Sequence, residues 1–494
     1  MNNVKVYQPQ LSVKLWKTIN RRTVDGTTPV AQRFMQPNQS LELTAWLGDG
    51  GGMHTSKSIR QPAGGWQVTL VDQPYASGGS LESLYGLIEP QDYVEMRFRH
   101  GPAAADSNPS KIPILMRGFV GSVQRTEVMG ADGKPSRAVV VRGQDYGKIL
   151  SLLRIQYLPG YVIGQDILTA FKLFEHWGAG FTTSLSVNDF LSQVVTAIVN
   201  PFLQSLMPAN STNPTNINPL ASVQGTTSVT SIQTAQGSIW EILRDYCDVG
   251  GGWNELFTQD TEQGVNLVLR PAPFLDLAGK KIQSDAPDLK PIVVPDSDVI
   301  SLDVQRSDAN VSNYFWTRAP LYDMNGDNLY RMLWGVGASS DSSISTAGYL
   351  NSAVQYYGTR YLQVDTQCGA SDIKSVASGK SAAENATRDD SMFTWIQGRR
   401  EALLAANKDN AMLESGTMRI RANEAITPGN YVQLVRGDFR ALYYVTGVDT
   451  DIVPFAGAFQ TLHVERGTGF AERISAGGVQ SPYLSEMTNA ANGA

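Results

Sequence analysis

The sequence has few of the side chains from which metal sites and disulfide frameworks are built. Its 494 residues include two cysteines and four histidines. Cys247 and Cys368 are far apart in the chain and stand in no CxxC or Cys/His cluster, and the histidines form no HExxH pair. We therefore expect no metal and no cofactor, and we favour buried free thiols over a disulfide. The histidines are His54, His100, His176 and His463.

Charged residues and long apolar runs are also scarce. Charged residues make up 17% of the chain, the formal net charge is −6, and Lys and Arg are scattered. This pattern does not indicate a site for the phosphates of nucleic acids. No window approaches the roughly 18 consecutive apolar residues of a membrane helix, and the first residues contain no apolar core of signal-peptide length. We expect no membrane insertion and a chain that stays in the cytoplasm until it is assembled.

The sequence is rich instead in turn-forming residues set between short apolar runs. It has 46 Gly and 24 Pro, with 42% hydrophobic residues, which favours β-structure over long helical bundles. Residues 1–150 consist of short apolar runs separated by turn residues. This pattern predicts an all-β domain of sandwich or barrel type. A second β-rich region at 291–470 contains a polar, helix-prone insertion near 378–412. Residues 471–494 have few apolar anchors and predict a flexible C-terminal tail.

The region between, 151–290, changes to helical periodicity. The segment 165–177 places apolar residues on one helical face, and 189–207 predicts an amphipathic helix pair or a buried helix, although it contains Pro201. Residues 208–236 are rich in Ser, Thr, Asn and Pro and predict a long surface loop. The residues on the first helical face are Ile167, Leu168, Phe171 and Phe174.

A capped helix and a hairpin are predicted at the end of this region. Ser238 is followed three residues later by Glu241, the spacing of a capping box, and apolar residues at helical spacing follow. Two strands joined by turn residues at 260–264 come next. The region 151–290 is therefore predicted to comprise a helical subdomain, a polar loop, and a helix with a hairpin.

The two β-rich regions contain an internal repeat. Residues 88–94 (IEPQDYV) match 426–432 (ITPGNYV), and 119–123 (FVGSV) match 444–448 (YVTGV). Each copy then closes on a strand ending in Arg-Gly, and the first copy has a longer loop with the composition of an inserted turn. Strands led by similar turns can match by chance, but three matches in one order favour a duplication. The Arg-Gly pairs are at 142–143 and 466–467, and the inserted loop is 99–111.

The repeated motifs resemble the hub proteins of contractile-tail baseplates, a family shared with the spike bases of type VI secretion systems. The resemblance rests on I-x-P-x-(D/N)-Y-V, on the aromatic-Val-x-x-Val strand, and on SRAVVVRGQDYGK at 136–148. In the middle of the chain, segments at 240–246, 254–257 and 269–271 resemble a helix, loop and hairpin of that group. The resemblance extends over about residues 85–470. The helical insertion and the polar loop match no segment of that family.

This resemblance implies an α+β, mainly β fold with two related β-barrel domains and a helical and hairpin region between them. It implies a homotrimer whose six barrels adapt a sixfold tail tube to a threefold central spike. Other baseplate proteins and the tape measure protein are further partners that it allows. The expected role is that of a structural virion protein of the tail baseplate, assembled in the host cytoplasm and opened during genome ejection, with no catalytic residues.

Two alternatives stay open. The first is the hub or spike base of a secretion system or tailocin, which shares the fold. The second is a cell-wall glycan hydrolase, which would need two carboxylates to converge in a groove. Trp240, Trp253 and Phe257 would then be sugar platforms rather than core residues. The carboxylates available near one another in sequence are Asp245, Asp248, Glu255 and Asp260.

Overall fold

A computed structural model describes most of the chain. The predicted helix at 165–177, His176, the inserted loop beyond residue 100 and the tail from residue 472 lie outside the described residues. The described residues are 9–18, 39–47, 52–72, 74–77, 80–100, 112–129, 133, 135–155, 185–207, 211–224, 226–228, 237–318, 354–366, 368–370, 382–437, 439–454 and 456–471.

The first β-rich region forms strands because apolar side chains alternate with polar ones. In the fourth strand Trp66, Val68 and Leu70 are buried, and the residues between them are more exposed. Two short helices, α1 (Leu84–Leu87) and α2 (Gly147–Leu152), accompany the strands. The strands are β1 (Gln10–Trp16), β2 (Ser40–Glu42), β3 (Gly52–Ser58), β4 (Gly65–Val71), β5 (Pro74–Ser77), β6 (Ser80–Ser83), β7 (Tyr93–Arg99), β8 (Ile114–Met129) and β9 (Pro135–Asp145).

The middle region mixes helices with short strands. Its longest helical stretch runs through α3 (Val187–Val194), a π-helical turn (Val195–Val199) and α4 (Asn200–Leu206), with Pro201 in the first turn of α4, where proline is tolerated. A further helix is α5 (Ile239–Tyr246). The strands are β10 (Arg154–Ile155), β11 (Leu185–Ser186), β12 (Ile217–Ala221), β13 (Thr226–Ser228), β14 (Gly237–Ser238), β15 (Asn254–Thr261) and β16 (Gly264–Pro271).

The second β-rich region contains the longest helix of the described chain. This helix, α7 (Ala382–Asn407), confirms the predicted insertion near 378–412, and a short helix α6 (Val354–Tyr357) precedes it. The strands are β17 (Ile292–Pro295), β18 (Val299–Gln305), β19 (Tyr314–Arg318), β20 (Tyr361–Asp365), β21 (Cys368–Ala370), β22 (Glu414–Arg421), β23 (Tyr431–Arg436), β24 (Phe439–Val453) and β25 (Gly457–Gly467).

Strands of both β-rich regions join one 13-stranded sheet. Its main path is β18-β22-β25-β24-β3-β4-β9-β8-β7-β1-β2, while β23 pairs with β24 and β17 pairs with β23. The fold is mainly β with helices, as predicted, but the described residues contain no closed barrel. The two related barrel domains therefore stay a prediction. The two regions share one sheet because β24 is long enough to pair with β23 along its first half and with β3 along its second.

The predicted repeat has a matching topology in the two regions. In the first region the pairing order is β3-β4-β9-β8-β7, and in the second it is β18-β22-β25-β24-β23. The strands also follow the same order along the chain in each region. We call these five-strand sets the first and second module. The strand flanking each module differs, since β1 runs antiparallel to β7 whereas β17 runs parallel to β23.

The apolar cores of the two modules meet where the modules join. The core of the first module includes Ala422, Ile452 and Ala458 from the second. A separate core fills the second module, and a third lies among the middle helices. The joint core indicates that the two modules pack as one body across the junction.

Several predictions for the middle region are confirmed and one is wrong. The helical stretch at 189–207 and the hairpin β15–β16 are present, and α5 begins with a capping box in which Ser238 and Glu241 bond each other's backbone N–H. The surface loop predicted at 208–236 is corrected, because β12 within it pairs in parallel with β16. Its buried Ile217 provides the apolar anchor that the polar composition obscured.

No helix among the described residues is long and apolar enough to cross a membrane. Cys247 is a buried free thiol, as predicted, and burial raises its pKa well above the ordinary value. The side chain of Cys368 lies outside the described part.

Candidate assembly site

The two modules are joined by a strand ladder between β24 and β3. The pairing is antiparallel and runs from Gly447 opposite Ser58 to Ile452 opposite Met53. The backbone N–H of Ile59 also donates to the carbonyl of Thr446 at 2.9 Å. Because β24 pairs with β25 and β3 pairs with β4 on their other sides, the ladder makes one continuous sheet across the junction.

A histidine and an aspartate contact each other on the exposed face of this ladder. His54 and Asp451 are directly opposite each other, and Nδ1 of the histidine lies 2.7 Å from Oδ1 of the aspartate. Both side chains are nearly half exposed, so the contact contributes little to stability. The contact shows which residues of β3 and β24 stand opposite each other across the junction.

The motif I-x-P-x-(D/N)-Y-V forms the same turn in both modules. Gln91 and Gly429, which precede the Asp or Asn of the motif, have φ values of 73° and 85°. Each donates its backbone N–H to the next strand at 2.8 Å, Gln91 to Val120 and Gly429 to Val445. A glycine adopts this left-handed conformation without strain, whereas glutamine does so at a cost of about 1–2 kcal/mol.

A bulge occurs at the same place in both modules. The ladder of β8 with β9 shifts between Val120 and Ser122, and the ladder of β24 with β25 shifts between Val445 and Gly447. A bulge bends and twists its strand, so beyond this point each long strand turns away from β7 or β23 while it stays paired with β9 or β25. The far half of β24 uses this bend to reach β3.

The strand ladders correct the third match of the predicted repeat. Phe119 pairs with Gln144, and its counterpart Tyr444 pairs with Glu465. Gln144 and Glu465 are therefore equivalent. The Arg-Gly pairs at 142–143 and 466–467 do not coincide, and their similarity in sequence was accidental.

The hairpin β15–β16, residues 254–271, contacts both modules. At its turn end, Lys57 of the first module places Nζ 2.7 Å from Asp260 and 3.2 Å from Asp145, with all three side chains nearly buried. Thr258 donates to Asp145 at 2.8 Å. Arg117, also buried, donates to the carbonyls of Thr261 and Gly264 at the hairpin turn. We call these residues the lysine cluster.

Two cations and two carboxylates of the lysine cluster are buried together. Burial raises the pKa of Asp260, partly offset by Lys57, and one of its oxygens has no hydrogen-bond partner among the described residues. Burial alone would lower the pKa of Lys57, but the carboxylates of Asp260 and Asp145 outweigh it and raise that pKa. Lys57 contacts both acidic side chains, whereas Arg117 bonds the hairpin carbonyls, so removal of Lys57 leaves two buried carboxylates without an ion-pair partner in the cluster.

The open end of the hairpin contacts the second module. Arg270 pairs with Glu255 at 3.1 Å and also donates to the carbonyl of Gly429, the residue of the repeated turn. The hydroxyl of Tyr444 donates to Glu255, whose pKa is raised mainly by burial. The backbone N–H of Leu275, just beyond the hairpin, donates to the hydroxyl of Tyr431 at 3.1 Å. The hairpin therefore binds one module at each end.

The carboxylates considered for glycan hydrolysis do not converge. Asp245 is exposed beside Arg244, whereas Asp248 is buried with Thr366 and Arg399. Glu255 and Asp260 belong to the two ends of one hairpin strand. Five positions along a strand place them on opposite faces and roughly 16 Å apart, which exceeds the separation of about 5–9.5 Å used by glycosidases.

Sugar platforms and metal sites receive no support from the same region. Trp240, Trp253 and Phe257 are buried core residues. Among the residues that the structure describes, no group of three or more His, Cys, Asp or Glu side chains is placed to hold a metal ion. The contacts at the junction hold the two modules and the hairpin together.

No protein-family model and no curated protein sequence matches this chain. Solved structures of phage tail proteins do resemble it. The tail protein from Neisseria meningitidis MC58 is 11% identical, with a TM-score of 0.44 over 94% of this chain and 99% of that chain. The 43 kDa tail protein of prophage MuSo2 from Shewanella oneidensis is 10% identical, with a TM-score of 0.41 over 92% and 96%.

A component of the Escherichia coli type VI secretion system is also similar. It is 7% identical, with a TM-score of 0.34 over 84% of this chain and 72% of that chain, and is itself described as similar to two bacteriophage T4 tail proteins. These three structures are two tail proteins and a type VI secretion component, and their likeness to this chain is one of fold.

Sequence reasoning missed the lysine cluster and the junction ladder. Lys57 and Asp260 are separated by 203 positions in the sequence, and β3 and β24 by a still longer segment. Asp260 lies four residues before Gly264 of the hairpin, a position that is typical of a turn aspartate. Nothing nearby in the sequence indicates that it pairs with Lys57.

Proposed function

We propose that this chain is a structural protein of a phage tail baseplate, and specifically the hub of a contractile tail that assembles as a homotrimeric ring. The observation that supports this most directly is the duplicated module, with the same strand order, turn and bulge in each copy. Three chains with two modules each present six related units on a threefold axis. Such a ring can bind a sixfold tail tube on one face and a threefold central spike on the other.

In this role the chain binds itself, the tail tube protein, the central spike, other baseplate proteins and the tape measure protein. It resides in the tail baseplate of the virion after assembly in the host cytoplasm. Its action is mechanical, since the ring stays closed until contraction and then opens a path for the genome. We assign it no catalytic step.

The oligomeric state tests the proposal. We expect light scattering of the purified protein to give the mass of three 53.7 kDa chains, and particle averages to show a threefold ring with six lobes. The same measurement is made after adding the spike protein of the same phage. A strict monomer under both conditions, or clearance of peptidoglycan by the purified chain, would contradict the hub function.

A further inference from the structure

The junction strand of the second module has a counterpart that is left uncovered in the first. In β24, Val448 and Ile452 lie beyond the bulge and are 6% and 4% exposed, because β3 pairs with that half of the strand. The equivalent half of β8 has no strand on that side among the described residues. Arg125 and Glu127, which stand at the positions of Thr450 and Ile452, are exposed, whereas Thr450 and Ile452 are buried.

The strand that covers β24 also has an uncovered counterpart. By the ladder equivalence, β18 in the second module corresponds to β3 in the first. Within the described part of the chain, β18 pairs only with β22 and is an edge of the sheet. Met53 and Thr55 of β3 are buried, whereas their counterparts Leu302 and Val304 in β18 are only partly buried.

We propose that the far half of β8 pairs antiparallel with β18 of a second copy of this chain. The pairing repeats the junction ladder, so that Thr126 and Asp303 stand opposite each other as Asp451 and His54 do within one chain. The inference rests on the proposed function. It specifies which two surfaces close the ring and in which register.

The geometry of the two edges favours a second copy as the occupant. An uncovered edge exposes unpaired backbone groups and is usually covered in native assemblies. The two edges are different surfaces of one chain, so their contact is head-to-tail, and a head-to-tail contact closes into a ring when the rotation permits it. The pairing within the chain supplies a working example of the contact between the same two types of strand.

The junction between chains is more polar than the junction within a chain. Arg125 and Glu127 occupy the positions of the buried Thr450 and Ile452, and they pair with each other at 2.8 Å. Less apolar area is therefore removed from water between chains. The contact between chains is expected to separate before the contact within a chain.

Cysteine cross-linking tests the register. Directly opposed residues of antiparallel strands have Cα atoms about 4.5–5.5 Å apart, within the range of a disulfide. We expect the double variant Thr126→Cys/Asp303→Cys to give covalent dimers and trimers on non-reducing gels after mild oxidation. The control Thr126→Cys/Val304→Cys, shifted by one residue to the opposite face, gives several-fold less product.

Mixing the two single variants separates contacts between chains from contacts within one. A mixture of Thr126→Cys and Asp303→Cys proteins gives covalent dimers only, and each variant alone gives none. A trimer by light scattering without this cross-link would overturn the strand pairing and assign the edges to another baseplate protein, while leaving the hub function intact. A strict monomer by light scattering for the unmodified chain, both without and with the spike protein, would overturn both.

Discussion

Replacement of Lys57 by methionine removes the only cation that contacts both Asp145 and Asp260 in the lysine cluster. Methionine has a similar length, so the change tests charge rather than volume. Breaking a buried ion pair by removing one partner costs about 3–5 kcal/mol, because the remaining charge is buried without compensation. At about 2–4 °C per kcal/mol, the unfolding transition of the first module should fall by roughly 6–20 °C.

The pH dependence of this loss has a defined sign. The folded-state pKa of Asp260 is raised above its unfolded value, so folding favours the protonated form. The contribution of protonated Asp260 to stability is complete below the unfolded pKa of about 3.9. It is lost as the pH rises through the folded pKa. Without Lys57 the folded pKa is higher still. The stability difference between wild type and variant should therefore shrink toward pH 4 and grow toward pH 7.

Thermal melts followed by circular dichroism between pH 4 and pH 8 measure the effect. The exposed Lys280→Met is the matched control, with an expected change within about 0.5 kcal/mol. The double variant Lys57→Met/Asp260→Asn restores neutrality and should recover more than half of the loss. A double variant no more stable than Lys57→Met, or a loss independent of pH, would refute the charge argument.

Three further predictions follow from the turn, the cap and the hairpin, and each is measured as a change in unfolding temperature. Gly429→Gln should destabilise by about 1–2 kcal/mol, since a Cβ at Gly429 would lie 2.7 Å from the Arg270 guanidinium; an unchanged melt would contradict the equivalence with Gln91. Ser238→Ala should cost about 1 kcal/mol by removing the cap of α5, and Ser238→Thr is its control. Tyr444→Phe should cost about 1–3 kcal/mol by leaving buried Glu255 without this donor; a neutral effect would mean that Arg270 alone satisfies the carboxylate.

Local patterns were sufficient to predict the elements whose physical cause is local. The capping box at Ser238, the hairpin 254–271, the helix near 378–412 and the repeated turn depend on residues close in sequence. The mainly β fold with helices followed from alternation and turn composition. The domain boundaries and the homotrimer stay predictions.

The errors arose where the deciding partner is distant in sequence. The single sheet that joins the two β-rich regions was not predicted, because nothing in β24 itself specifies β3 as the partner of its second half. The segment 217–221 was interpreted as loop because its polar residues gave no sign of the parallel partner β16. The Arg-Gly pairs were aligned without knowledge of the strand register, which only the ladders fix.

The hairpin fastened at both ends limits how a ring of these chains can move. The lysine cluster fixes it to the first module, and the contacts of Arg270 and Tyr444 fix it to the second. Together with the ladder of β24 and β3, it leaves the two modules of a chain no independent rotation. If the ring opens, its six units must separate as three rigid pairs, so the opening would occur at three junctions between chains rather than at six.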